Sequence, residues 1–382
     1  TVVQTVALAE YDGLTLPTPD GNVPLIDRDP SRPLVRSGQY DYWDHVDYVF
    51  DQAALRDIYV ALLPTWGTYV EPGHSPCVTR SIFTPHNALA YARWLAERFG
   101  HRPNLIWVLG GDRNPDQGPH GVELWRAVGR ALKQRCPDRL ITYHPTGAGC
   151  SSRCLHGENW LDVNMVQSGH ARRAEQDENW RYIEHDRTHK PPKPTLDGEP
   201  CYEDIPRDLD WSNSQGRWEA RDCRRKAWWA VLTGACGHTY GHNSIWQWRR
   251  DGDEVRYAAN MTWREALDRP GAEQMRHVKD LMLSRGLSVR APTQELLVGG
   301  PGTGYDHARA SRGPRGAVIY LPTARPITVD LSSLAPAVRA AWLCPSTGRQ
   351  QEIGEINATS RHTFEPPGPR EYGNDQVLLL DV

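Results

Sequence analysis

Short apolar runs alternate along most of this chain with segments in which apolar positions recur every three or four residues. The runs predict buried β-strands, and the recurring positions predict amphipathic helices. Strands are predicted at residues 1–8, 58–63, 105–109, 140–143, 162–166, 194–196 and 237–240. Helices are predicted between them, at about 43–53, 84–99, 121–135, 178–186, 217–233 and 271–284. Such alternation indicates βα units stacked around a parallel sheet.

The pattern changes after about residue 287. Short alternating runs separated by turn residues occupy 316–321, 327–331, 338–343 and 377–380, which predicts a small antiparallel β-sandwich. We therefore expect an α/β barrel domain over residues 1–287 and an accessory sandwich over 288–382. The seven predicted strands are one short of a (β/α)8 TIM-type barrel. Because the chain starts inside a strand-like run at Thr1, we expect the first barrel strand to lie upstream.

Composition narrows the functional class. The 382 residues carry a net charge of −3 and are 39% hydrophobic, with no basic patch, so a nucleic-acid partner is not expected. No apolar run approaches the roughly 18 residues needed to cross a bilayer, so no membrane partner is expected either. The chain has 15 Trp and 15 Tyr against 4 Phe, which favours rings that combine a flat apolar face with a polar edge. Such rings suit sugars, although many can equally be core residues.

The cysteines lack the pattern of a disulfide scaffold or of a repeated zinc motif. They stand at positions 77, 136, 150, 154, 201, 223, 236 and 344. Most are therefore predicted to be thiols, which favours the cytoplasm, while a signal peptide upstream of Thr1 stays open. Cys150 and Cys154 bracket a short loop, where a local disulfide or metal site is the alternative.

Two carboxylates follow predicted strands directly. Asp112 ends the run Gly-Gly-Asp after strand 105–109, and Glu199 lies in Asp-Gly-Glu-Pro after strand 194–196. Strands of a parallel barrel present catalytic groups at their carboxyl ends. The two acids are 87 positions apart, and at about 30 residues per βα unit they belong to barrel strands 4 and 7, on opposite sides of the mouth. Glycoside hydrolysis requires such a pair, whereas a helix N-cap or an ion pair with Arg113 is the plain alternative for Asp112.

Other polar and aromatic side chains also end predicted strands and are candidates for binding a sugar. They are Trp66, His144, Gln167, His170, His238, Tyr240, His242 and Trp246. Histidine is useful here because a neutral imidazole both donates and accepts, although a buried, satisfied histidine is the competing interpretation. Asp197 and Glu203 flank Glu199 and are predicted to orient its neighbours. Trp107, Trp228 and Trp229 lie inside elements and are predicted core residues.

Several strings in the chain resemble the apiosidase-like glycoside hydrolases. They are Val3-Gln4 with Ala9-Glu10, the segments 64–67, 109–114, 167–170, 197–203 and 237–247, and the ending 372–381. The resemblance implies a (β/α)8 catalytic domain followed by a small β-domain whose family name refers to collagen binding. It implies Asp112 as acid/base and Glu199 as nucleophile, and it adds Gln4 and Glu10 to the substrate-binding set. The family's opening strand, with its Gly-Asp-Thr-Ala-Trp-like string, is not in this sequence.

We therefore expect an exo-acting, retaining glycosidase that cleaves an oligosaccharide or polysaccharide and needs no cofactor or metal. Characterised members of the family release apiose from plant pectin, and most have no assigned substrate. One alternative is a metal-dependent hydrolase or sugar isomerase that uses the strand-end histidines as ligands, although no HxH or HExxH string occurs. The other is a carbohydrate-binding protein without catalysis.

Overall fold

Strands and helices alternate through most of the chain, as the apolar pattern predicts. The computed structural model describes residues 1–11, 13–73, 78, 80–171, 177–286 and 290–382. The first unit is Thr1–Gln167 with His189–Pro194, and the second is Ser168–Thr188 with Thr195–Val382. Cys77 and the predicted boundary between residues 287 and 288 lie outside the described residues.

The first unit contains a parallel sheet of four strands in chain order. They are β1 (Val2–Val6), β2 (Tyr59–Leu63), β3 (Leu105–Gly110) and β4 (Ile141–His144). The helices between them are α1 (Tyr42–Ala54), α2 (Pro85–Phe99) and α3 (Gly121–Arg135). Short 3-10 helices lie at Ile26–Arg28 and Gly67–Tyr69. Each predicted element in this region is present, with bounds that move by no more than two residues.

The first helices begin where their sequence dictates. At α2, the Thr84 side chain accepts from the backbone N–H of Asn87, and the Asn87 side chain accepts from Thr84 in return. Pro85 at the first helical position has the φ that a helix requires and no N–H to satisfy. The apolar face of α2 is buried against the sheet, including Leu95 and Phe99. Capping and periodicity therefore agree on this element.

One part of the first unit was not predicted. The segment after β4 forms β5 (Gly149–Cys150) and the short helix α4 (Ser152–Leu155) before the predicted strand at 162–166, which is β6 (Asn164–Gln167), and β5 pairs antiparallel with β6. Cys150 and Cys154 therefore lie on a strand and a helix rather than on one loop. Their sulfurs are thiols, as are those of the other cysteines that the structure describes, so the predicted alternative of a local disulfide is wrong.

The second unit continues the βα pattern. Its first part contains α5 (Trp180–Arg187), β7 (Thr195–Asp197), α6 (Ala220–Leu232), β8 (Gly237–His238), α7 (Asn243–Trp246), α8 (Trp263–Ala266) and α9 (Pro270–Ser284). β7 and β8 are parallel, with Asp197 opposite His238. Helix α6 is buried on every side from Asp222 to Leu232. Within the described part of the chain, no helix is both long enough and apolar enough to cross a bilayer.

The last 90 residues form two antiparallel sheets. Their strands are β9 (Ala291–Pro292), β10 (Leu297–Val298), β11 (Arg309–Gly313), β12 (Gly316–Thr323), β13 (Ile327–Asp330), β14 (Ala337–Leu343), β15 (Gln350–Asn357), β16 (Arg361–Phe364) and β17 (Tyr372–Asp381). One sheet has the order β10-β13-β16 and the other β15-β14-β17-β12-β11-β9. Val329 of the first and Leu378 of the second belong to one apolar core, so the sheets pack face to face. The predicted strands are confirmed, whereas β9, β10, β11, β15 and β16 were not predicted.

Candidate active site

The turn that carries Asp112 depends on two glycines. Gly110 and Gly111 have φ values of 83° and 111°, and Asp112 itself has 54°, a left-handed conformation that is costly for most side chains. Gly111 accepts a hydrogen bond of 3.0 Å from the backbone N–H of Gly67. A Cβ on Gly111 would lie 2.8 Å from that nitrogen and 3.0 Å from the ring of Trp66. Glycine therefore lets the loops after β2 and β3 touch, which places Trp66 beside the turn.

The Asp112 carboxylate lies among side chains from three strand ends of the first unit. Its Oδ1 accepts from Gln167 Nε2 at 3.2 Å and from Thr146 Oγ1 at 3.3 Å. The backbone N–H of Asp112 donates to Nδ1 of His144 at 3.2 Å. The His144 ring is buried and lies 5.5 Å from that of Trp66. The Asp112 side chain nevertheless stays 40% exposed, so a ligand can reach it.

Two structural explanations of Asp112 compete with catalysis: a helix N-cap and an ion pair with Arg113. The residue is not a helix N-cap, because α3 begins nine positions later, at Gly121. An ion pair with Arg113 exists, but the Nη1 to Oδ2 distance is 3.6 Å. The same guanidinium donates to backbone carbonyls of Asp112 at 2.7 Å and of Glu71 at 2.9 Å. Arg113 therefore stabilises the loop mainly through hydrogen bonds to backbone carbonyls, and its contact with the Asp112 carboxylate is long.

In the second unit, Glu199 is held by a histidine. The carboxylate is buried, with its Oε1 3.1 Å from His170 Nε2. The backbone N–H of Tyr202 points at the other ring nitrogen of His170 at 3.4 Å, so Nδ1 is the acceptor and Nε2 carries the proton. A neutral His170 thus donates to Glu199, an arrangement that favours the ionised carboxylate.

Asp197 is a fully buried carboxylate behind this strand end. It accepts from Ser168 Oγ at 2.9 Å and from Asn179 Nδ2 at 2.8 Å, and the backbone N–H of Ser168 lies 3.3 Å away. Burial raises the pKa of Asp197, while these hydrogen bonds and the nearby charge of Lys226 oppose the increase. Asp197 therefore links the segments of Ser168 and Asn179 to the end of β7.

Two of the predicted substrate-binding histidines, His238 and His242, have ring nitrogens that are buried without a hydrogen-bond partner among the described residues. In His238 these are both nitrogens, and in His242 the nitrogen is Nε2. His242 Nδ1 accepts from the backbone N–H of Ser244 at 3.1 Å, so Nε2 is a donor. Burial lowers the pKa of His238 to about 3, helped by the charge of Lys226, and lowers that of His242 to about 4, helped by Arg269. Both rings are therefore neutral at physiological pH.

Glu203 and Tyr240 interact with each other. Tyr240 donates its hydroxyl to Glu203 Oε2 at 2.7 Å, and the backbone N–H of Gly271 donates to the same oxygen at 3.0 Å. Burial raises the pKa of both groups. Glu203 Oε1 is buried and lies 3.8 Å from Arg269 Nε. These contacts tie the start of α9 to the strand ends, and they occupy the hydroxyl that sequence reasoning assigned to substrate.

The remaining predicted residues, Gln4, Glu10 and Trp246, do not all lie at strand ends. Gln4 is half-buried on β1 opposite Ala61, and Glu10 is half-buried after that strand. Trp246 ends α7, with its ring 5.3 Å from that of Tyr257. Among the residues that the structure covers, no three His, Cys, Asp or Glu side chains are grouped closely enough to hold a metal ion.

Sequence reasoning missed Thr146, Asn179 and Lys226. Lys226 is buried within α6 beside Arg224 and Arg225, which are also buried. A run of three basic residues usually marks a solvated helix face. The available signal was the apolar residues on every side of this helix, which leave no face for charges to occupy.

Two family models together match almost the whole chain. Residues 1–288 match the family model “Apiosidase-like, catalytic domain”, and residues 291–381 match “Putative collagen-binding domain of a collagenase”. A solved structure titled “Glycoside hydrolase” is 34% identical with a TM-score of 0.91, over 100% of this chain and 85% of that one. A glycoside hydrolase family 5 structure from Bacteroides vulgatus ATCC 8482 is 35% identical with a TM-score of 0.92, over 100% and 82%. The comparison with curated proteins gave no match.

A more distant glycoside hydrolase structure from the same Bacteroides strain is 12% identical with a TM-score of 0.65, and it shares the fold alone. The family match covers three quarters of the chain and includes the strand ends that carry Asp112 and Glu199. The protein is accordingly a glycosidase with a carbohydrate substrate and a C-terminal β-rich domain. It belongs to the apiosidase-like glycoside hydrolases.

Proposed function

We propose that this protein is an exo-acting, retaining glycosidase in which Glu199 is the nucleophile and Asp112 is the acid/base. The observation that carries the proposal is the hydrogen bond from neutral His170 to Glu199. A nucleophilic carboxylate must be ionised before it attacks, and a hydrogen-bond donor at the carboxylate favours that state.

Asp112 suits the second role because its carboxyl group is the more exposed. A general acid must reach the leaving-group oxygen and later a water molecule, and 40% of the Asp112 side chain is open to solvent. Gln167 and Thr146 both donate to Oδ1, so Oδ2 is the oxygen that would carry the proton. The turn of Gly110 and Gly111 fixes this orientation.

The reaction then has two steps. In the first, a Glu199 oxygen bonds to the anomeric carbon, the glycosidic bond breaks, and Asp112 gives its proton to the departing oxygen. In the second, Asp112 takes a proton from water, the water oxygen bonds to the anomeric carbon, and Glu199 leaves as a carboxylate. The anomeric configuration is inverted twice, so it is retained overall.

The neutral histidines favour an uncharged, hydroxyl-rich ligand. His242 offers a buried N–H, and His238 offers a donor and an acceptor, without partners in the described chain. Leaving such groups unsatisfied costs about 1–3 kcal/mol each, which a sugar hydroxyl in contact would recover. Trp66 beside the Asp112 turn provides a flat face for stacking.

We further propose that the strands belong to a TIM-type barrel and that the enzyme acts at chain ends. The parallel order of β1 to β4 and the parallel pair β7 and β8 support the barrel. The long segment between β1 and α1, residues 7–41, follows a strand end. A segment of this length at that edge is suited to closing one end of a cleft.

The test is turnover of a panel of aryl glycosides and pectin oligosaccharides by wild type, Asp112→Asn and Glu199→Gln. We expect both variants to lose at least about 10²-fold in kcat/KM. Asp116→Asn and Glu273→Gln change exposed acids and should retain activity. Proton NMR of the first product should show retention. Inversion, or a carboxylate separation above about 6.5 Å instead of about 5–5.5 Å, would exclude Glu199 as nucleophile.

A further inference from the structure

Five aromatic residues of the second unit lie on the segments that follow β7 and β8. The proposed reaction gives them no complete role. We call this group the aromatic strip. Its members are Trp211, Trp246, Trp248, Tyr257 and Trp263. Trp211 follows β7, and the other four follow β8, so the strip is built on the segments that leave the carboxyl ends of these strands.

The rings of the strip form two groups in contact, one of Trp211, Tyr257 and Trp246 and the other of Trp248 and Trp263. Tyr257 lies 5.1 Å from Trp211 and 5.3 Å from Trp246, centroid to centroid. Trp248 lies 5.0 Å from Trp263 at an interplanar angle of 75°. The Arg264 guanidinium lies 4.3 Å over the ring of Trp263, so Trp211 and Trp248 are the exposed members of the strip. The exposed fractions are 62% for Trp248 and 45% for Trp211, which is large for residues that usually bury most of their area.

Two residues of the strip have an energetically unfavourable backbone conformation. Trp248 and Tyr257 both have φ of 51°, a conformation that is a genuine outlier for bulky side chains. The loop is nevertheless held in place, because Asn243 Nδ2 donates to the Tyr257 carbonyl at 2.9 Å and the Trp263 N–H donates to the Arg249 carbonyl at 2.8 Å. Strain of this kind persists where the surroundings enforce it, and it concentrates at binding sites.

The strip lies close in the chain to His242, a predicted substrate-binding residue. His242 caps α7, Trp246 ends that helix, and the N–H of Trp248 donates to the carbonyl of Ile245 at 3.0 Å. Trp246 and Trp248 therefore lie on the same short stretch of chain as His242. Tryptophan and tyrosine rings match the C–H face of a pyranose or furanose ring and can also bond its hydroxyl groups.

We infer that the aromatic strip binds further sugar units of a polysaccharide chain, beyond the unit cleaved at Glu199. This inference rests on the proposed function only for which end of the polysaccharide lies at Glu199. The strip would bind carbohydrate whether or not Glu199 is the nucleophile. The enzyme would thereby select a polymer end over a free disaccharide.

Affinity electrophoresis tests the strip without turnover. Native gels containing pectin, xylan, arabinogalactan or mixed-linkage β-glucan would compare wild type, Trp248→Ala, Trp211→Ala and Trp248→Phe. We expect at least one polymer to retard the wild type, with an association constant about tenfold lower in each alanine variant. Trp248→Phe keeps a ring and should lose less. Leu283→Ala removes an apolar side chain that is 63% exposed on α9 and should migrate as wild type does.

Three results would overturn the inference: no polymer retards the wild type, both alanine variants are retarded as strongly as the wild type, or the variants change oligomeric state. The last would identify the strip as a protein interface. Trp211→Ala keeps the test valid if Trp248→Ala does not fold. Glu199→Gln should be retarded like the wild type. Unchanged turnover by Glu199→Gln, or no turnover by the wild type, together with retained polymer binding would refute the proposed chemistry alone.

Discussion

His170 donates a hydrogen bond of 3.1 Å to the buried carboxylate of Glu199, and the backbone N–H of Tyr202 fixes which ring nitrogen carries the proton. The imidazole needs no charge to make this bond. The two residues are 29 positions apart, so their contact is a product of folding. It makes His170 a positioning residue for Glu199.

Replacing His170 tests that role. His170→Ala should lower kcat by about 10²-fold, because a buried carboxylate loses the donor that orients it. His170→Gln should retain most of the activity, since its amide N–H can donate to Glu199. Steady-state kinetics on the best aryl glycoside gives the comparison. Equal losses in both variants would show that the ring serves packing rather than donation.

Gly111 should be intolerant of any side chain. Gly111→Ala places a Cβ 2.8 Å from the nitrogen of Gly67, so the loops after β2 and β3 must separate. We expect a loss of about 2 kcal/mol in unfolding free energy and a lower kcat, measured by urea denaturation and kinetics. Gly121→Ala is the matched control: Gly121 also has positive φ, but nothing lies within 4 Å of its added Cβ. Similar behaviour of the two variants would contradict the steric explanation.

Asp197→Asn should destabilise the fold. The amide has one acceptor oxygen where the carboxylate has two, so a donor from Ser168 or Asn179 is left unpaired, at a cost of about 1–3 kcal/mol. Burial raises the pKa of Asp197 in the folded state. Its contribution to stability is therefore complete below the unfolded pKa of about 3.9 and declines as pH rises towards the folded value.

The difference in unfolding free energy between wild type and Asp197→Asn should thus become smaller from acidic to neutral pH. Urea denaturation of both proteins at several pH values measures this difference, and effects of other groups cancel in it. A difference that increases towards neutral pH would mean that the hydrogen bonds and the charge of Lys226 lower the pKa of Asp197 by more than burial raises it.

His242 should make the protein sensitive to mild acid. Its pKa is lowered by burial to about 4, whereas an unfolded histidine titrates near 6.5. Stability is therefore complete above about pH 6.5 and is lost as pH falls towards 4. His242 alone should remove about 2 kcal/mol between pH 7 and pH 5.

His242→Asn provides the check. Asparagine accepts from the N–H of Ser244 as a good N-cap but does not titrate. Unfolding free energies measured at pH 7 and pH 5 should fall less steeply in this variant than in wild type. Identical slopes would assign the acid sensitivity to other groups, with His238 next to test because burial lowers its pKa to about 3.

Much of this architecture could be predicted from local sequence. Strand and helix periods differ, so alternating apolar patterns identified β1 to β4 and the helices between them. The capping pair of Thr84 and Asn87 marked the start of α2 because both partners lie within one turn. Asp112 and Glu199 could be placed at strand ends for the same reason, since each directly follows its apolar run.

The surroundings of those acids depend on contacts between distant residues. Gln167 reaches Asp112 across 55 positions, and Asn179 reaches Asp197 across 18. Periodicity shows which face of an element is apolar, but the packing partner decides which polar groups are buried together. Tyr240 illustrates this limit: the predicted strand ends at His238, two residues earlier, and the Tyr240 hydroxyl is bonded to Glu203.

The sequence by itself therefore determined the order of the elements, the antiparallel C-terminal region and the positions of the two carboxylates, because those follow from local periodicity and chain connectivity. Only the tertiary structure decided that His170 donates to Glu199, that Lys226 is buried, and that Trp211 and Trp248 are exposed. Burial and hydrogen-bond geometry arise when separate segments pack together, and no local pattern specifies them.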